Sequence, residues 1–200
     1  MGFWPSLIMD EAKPNVMSFK KDRNLEFHVQ IDKAYIVEHR PPSNLKEFCE
    51  VNTTFYDIVR NVLHLQALKR IGMRLHFFRV FKTQEEASDA LISTGMIQAP
   101  GGKHFNVDGP IKPSGYIFRM QDRDIGVHVK IDAVERKVEF IPPSNTPELE
   151  PQKIVEFGIM CDIDYYTRGL TLVNQFKPKD WIEHTHHLIK RDSKVFLGGT

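Results

Sequence analysis

Apolar residues recur along this chain with a period of two in some stretches and about three and a half in others, which predicts strands interspersed with helices. In "LEFHVQID" Phe27, Val29 and Ile31 alternate with Glu26, His28 and Gln30. In "IGVHVKID" Val127, Val129 and Ile131 alternate with Gly126, His128 and Lys130. Each run buries one face and wets the other, so both histidines fall on a polar side. Two longer apolar runs, Arg70 to Phe81 and Ile154 to Tyr166, read as long strands. Helical spacing appears three times: through Phe55, Ile58, Val59, Val62, Leu63 and Leu65; after Thr83, an N-cap with Glu86 three residues on; and from near Pro178, where Trp181, Ile182, Thr185, Leu188 and Ile189 supply a buried face.

The strand runs repeat. Laid over one another at an offset of 100, "DRNLEFHVQID" and "DRDIGVHVKID" share Asp22, Arg23, His28, Val29, Ile31 and Asp32 with their counterparts, and a Pro-Pro-Ser-Asn closes each copy. The shared unit predicts a three-stranded meander, with Asp32 and Asp132 setting hairpin turns through their own backbone. A variable connection, a long strand and a helix follow. The expected architecture is α+β: one domain over 1–200 made of two repeats, 16–94 and 116–191, joined by a Gly- and Pro-rich linker at 95–115. The two copies together predict a pseudo-symmetric antiparallel sheet or incomplete barrel with helices on one side.

Composition narrows the function. Lys plus Arg number 27 and Asp plus Glu 26, so the chain lacks the general positive field that holds nucleic acid, and no run approaches the length of a membrane helix. The start has no basic leader region, so secretion is not expected. Two cysteines, Cys49 and Cys161, are too few for a disulfide framework and read as buried thiols of a cytoplasmic protein. Phe3, Trp4, Leu7 and Ile8 read as an apolar anchor docking on the domain or on a partner.

The long strands carry the candidate chemistry. One presents Arg70, Arg74 and His76 on a face, and the other presents Asp162 and Asp164. Side by side, these charges either pair across the sheet or line a cleft in which the cations hold phosphate or carboxylate and the carboxylates a divalent ion. Arg74→Ala separates the two: a buried pair would lose roughly 3 to 5 kcal/mol, whereas a cleft arginine would leave stability unchanged. His184 and His187 share a helix face, but no His-Glu-x-x-His is present, and a solvated, adventitious metal binder is the favoured account. No Gly-rich phosphate loop, serine elbow or partnered nucleophile is legible, and no cofactor is expected.

The run "LKRIGMRLHFF", followed by "CDIDYYTRG" and a final amphipathic helix, resembles a sporadically distributed prokaryotic protein family with an Arg-Ile-Gly-Leu-Arg-Tyr strand and a late Asp-Ile-Asp strand. The likeness falls on Arg70 to Leu75, where Met73 and Leu75 depart from the pattern, and on Asp162 to Asp164, and covers about the last two thirds of the chain. The resemblance implies a bacterial or archaeal protein of patchy distribution, tied to defence or mobile elements, and carries no activity with it.

Three functions follow as expectations. The first is a non-enzymatic interaction or assembly module that binds a protein partner or itself. The second is binding or hydrolysis of a phosphorylated small molecule in the Arg/His and Asp cleft. The third is single-stranded nucleic-acid binding through Phe77, Phe78 and Arg79, which the neutral charge and the need to bury those rings count against.

Overall fold

In the computed structural model, residues 6–9, 16–20, 25–39, 44–96, 114–140 and 152–197 are described. The fold is α+β, with three helices and ten strands among these residues, and every strand pairing is antiparallel. The strands fall into three sheets and no barrel closes. The chain parts into two units, 1–68 with 171–183 and 69–170 with 184–200.

In the first unit, strands β1 (Ser6–Met9), β2 (Val16–Lys20), β3 (Leu25–Gln30) and β4 (Ala34–Glu38) form a sheet in chain order. Alternation along β3 buries Leu25 and Phe27, and the Phe27 ring meets Phe55 of helix α1 (Leu45–Val62) at 5.4 Å. Asp32 lies in the bend between β3 and β4, which the Gln30 amide closes on the Lys33 carbonyl at 2.8 Å. Asn44 caps α1 by accepting the Glu47 amide at 3.1 Å. At the other end His64 takes the left-handed conformation, φ 50°, and the Leu65 amide closes back on the Arg60 carbonyl at 3.0 Å. A two-stranded ribbon of β5 (Ala67–Leu68) and β10 (Thr171–Leu172) completes the unit, with the Tyr56 hydroxyl donating to the Val173 carbonyl at 3.1 Å.

The second unit is built on the sheet β6-β9-β8-β7, comprising β6 (Gly72–Phe81), β7 (Gly115–Asp122), β8 (Ile125–Phe140) and β9 (Gln152–Thr167). One face carries Met73, Tyr116, Val129, Ile131, Ala133, Ile159, Cys161 and Ile163, all buried. Helix α2 (Gln84–Ser93) packs on β6, β8 and β9, burying Ala87 and Leu91, and the Tyr116 hydroxyl reaches the Leu91 carbonyl at 3.5 Å. Thr83 caps α2 by accepting the Glu86 amide, and the Glu86 carboxylate accepts the Lys82 amide in return. The end of helix α3 (Pro178–Phe196) lies on the same apolar face, where Phe196 meets Phe118 at 5.7 Å and Arg79 donates to the Leu197 carbonyl. Both helices thus cover one side of this sheet, and the opposite face carries the charges.

Three expectations need correcting. No hairpin turn forms at Asp132: β8 runs unbroken from Ile125 to Phe140, because Ile131 and Ala133 keep the buried alternation going and β9 supplies a partner along the whole length. Asp132 instead accepts Lys130 Nζ at 2.5 Å within the strand. The second copy is therefore a hairpin of β7 and β8, not a meander. Nor do the two copies form one sheet: among the described residues β2, β3 and β4 pair among themselves and with β1, while β6 of the first copy joins β9, β8 and β7 of the second in a separate sheet.

Candidate functional site

Directly opposed residues of an antiparallel ladder share a face, so the register assembles rows of charge across the second unit's sheet. One row reads Arg119, His128, Asp164, Arg74 from β7 to β6. The next reads Ile117, Lys130, Asp162, His76. All five ligand candidates from the sequence meet here, four of them in the rows and Arg70 in the segment just before β6.

They meet mostly by pairing. Arg74 clamps the Asp162 carboxylate with two hydrogen bonds, Nε at 2.7 Å from Oδ1 and Nη2 on Oδ2, and His76 Nε2 adds a contact to Oδ1 at 3.2 Å. Arg70 Nη2 takes Asp164 Oδ2 at 2.5 Å. The cations stand mostly in water, Arg74 with 63% and Arg70 with 53% of the side chain exposed, whereas Asp162 keeps only 14%. Burial alone pushes the Asp162 carboxyl up, but the hydrogen bonds and charge of Arg74, with His76 and His128, outweigh it and hold the group below its ordinary range. Lys130 is met by Asp132 and Arg136 by Glu156, and the Arg136 guanidinium lies 4.0 Å from the Phe78 ring centroid.

Beside these pairs a cleft of about 370 Å³ opens, lined by Arg70, Arg119, His128, Asp164 and Tyr166. Tyr166 lies across Gly126, so closely that a Cβ there would stand 2.4 Å from its Cζ, and Arg70 sits 4.2 Å from the ring centroid. Two groups of the lining residues are unmet: His128 Nε2, covered from water, has no hydrogen-bond partner, and Arg119, exposed on edge strand β7, has no ion pair or hydrogen bond among the described residues. The sequence reading missed Arg119 and Tyr166 and gave His128 no binding role. The alternation of "YIFRMQD" against "VHVKID" was the available signal, since it sets Arg119 and His128 on matching faces once β7 and β8 pair.

The first unit holds another constellation that the sequence hid. His28 Nδ1 lies 2.9 Å from Ser18 Oγ, His28 Nε2 lies 3.1 Å from Glu26 Oε2, and the ring stacks on Tyr35 at 4.6 Å. Hydroxyl, imidazole and carboxylate in this order have the parts of a nucleophile triad. Ser18 nevertheless stands in a regular ladder opposite His28, without the bent backbone that turns amides toward a developing oxyanion. The arrangement is a satisfied polar sheet face.

Phe3 and Trp4 lie outside the described residues. Leu7 and Ile8 fall in β1, opposite Phe19 and Ser18, and their side chains lie outside the description as well. His184 and His187 are exposed on α3, and among the described residues no three His, Cys, Asp or Glu side chains gather as a metal site. No helix is long and apolar enough to cross a membrane among the same residues. No family model, curated protein or solved structure matches the chain.

Proposed function

We propose that this protein is a non-enzymatic interaction module that binds a protein partner or a second copy of itself through the charged face of β6-β9-β8-β7. The observation that carries the reading is the pairing of that face: Asp132, Glu156, Asp162 and Asp164 are each engaged by a cation, so none stands ready as a base or metal ligand, while Arg70 and Arg74 remain open to water. Alternating exposed charges on a sheet face select and orient a partner more readily than they perform chemistry. Exposed Val80 and Ile117 on the same face add apolar area of the kind that interfaces bury. Two buried free thiols support a reducing, cytoplasmic setting.

Native mass spectrometry of the protein isolated from its own host tests this, with Arg74→Glu as the comparison. We expect a stoichiometric complex or homo-oligomer that the charge reversal dissociates. A monomer at tens of micromolar, with or without the substitution, overturns the reading. A second reading, binding of a phosphorylated small molecule, is favoured by the cleft where Arg119 and His128 lack partners.

A further inference from the structure

We propose that the cleft over His128 binds the phosphoryl group of a small molecule, with His128 Nε2 as its buried contact and Arg119 and Arg70 as its flanking cations. This rests on the small-molecule reading and is independent of the interaction reading.

Placement comes from the sheet. His128 on β8 and Asp164 on β9 are directly opposed on the two central strands and form the floor. Arg119 stands opposite His128 on the edge strand β7, and Arg70 reaches in from the segment before β6 to hold Asp164. Charge decides the sign of the ligand. Arg70 neutralises Asp164, which leaves Arg119 as the uncompensated charge and the cleft cationic. A buried ring nitrogen without a partner is uncommon, and marks a place where something polar is missing.

Shape and donor count decide the class. The cleft, at about 370 Å³, falls within the usual range of small-molecule sites and exceeds what a lone ion fills. A carboxylate is satisfied by one guanidinium fork, whereas two guanidinium groups and an imidazole carrying its proton on Nε2, the tautomer this site requires, suit a group with three terminal oxygens. The Ser18, His28 and Glu26 cluster offers no comparable vacancy, because both ring nitrogens of His28 are already bonded.

The test is a titration of the full chain, in a buffer free of phosphate, with glycerol 3-phosphate, inorganic phosphate and acetate at matched ionic strength, following the His128 ring resonances by NMR. The two phosphoryl probes should shift them saturably and acetate should not. Arg119→Gln should weaken binding by about ten-fold or more, and Lys137→Gln, an exposed cation on β8 outside the cleft, should leave it unchanged. No saturable shift, an equal response to acetate, or full affinity in Arg119→Gln overturns the proposal. Native mass is read in parallel, so that loss of phosphate binding and loss of assembly are scored separately.

Discussion

Asp162 shows how a single carboxylate is held on an open sheet. Its side chain is mostly covered while its partner Arg74 stands in water, so the pair lies between a buried bridge and a surface one. Removing Arg74 therefore costs less than the roughly 3 to 5 kcal/mol of a fully buried pair. We expect Arg74→Ala to lose about 1 to 2 kcal/mol in urea denaturation, since water screens the arginine but Asp162 loses two hydrogen bonds. The pH dependence has a definite sign. A carboxyl held below its ordinary 3.8 stabilises the fold above that value, and the contribution fades as pH falls through the depressed one. The stability gap between wild type and Arg74→Ala should narrow below about pH 4; a gap unchanged down to about pH 2 would remove Asp162 from the account.

Among the elements of the second unit, the long ladder of β8 and β9 sets β6, β7 and α2 in place. Gly126 belongs to it because the Tyr166 ring occupies the space a side chain would take. Gly126→Ala should destabilise by about 1 to 3 kcal/mol, and adding Tyr166→Ala should recover part of the loss as a positive coupling. Gly72→Ala is the control, since a Cβ there meets its neighbours at an ordinary 3.5 Å. Much of this element structure was legible in the sequence. The alternation of Phe27, Val129 and Ile131 gave strands and faces, and Thr83 with Glu86 gave the start of α2, because both signals are local. The unbroken course of β8 through Asp132 was not legible, because an Asp that turns the chain in one copy stays extended in the other once a long partner strand pairs with it. The Arg119 and His128 cleft was hidden for a related reason. Face parity is local, but which strands lie side by side is not.

At the scale of the molecule, the two units differ in how much their described residues bury. Of the largest fully buried side chains, Leu91, Val129, Ile131, Ile159 and Cys161 belong to the second unit's sheet and α2, whereas Cys49 alone is drawn from α1. Native-state hydrogen exchange should accordingly show its slowest amides in central β8 and β9, near Val129 to Ala133 and Ile159 to Ile163, with the β3 and β4 amides exchanging through cheaper openings. Uniform protection across both units would mean that they unfold as one. The register also sets His76 directly opposite Asp162, near the middle of the ladder between β6 and β9.

Both cysteines are shut away, and Cys161 sits at the middle of central strand β9, where burial, with Asp162 adding, pushes its thiol up to about 12. Cys49 is raised too, by burial first and then by Glu183. Thiols held protonated and covered do not react with maleimides. A cysteine placed on the charged face would then be the only one to take a dye or spin label, so the surface can be tagged and watched without stripping the chain of its natural sulfurs.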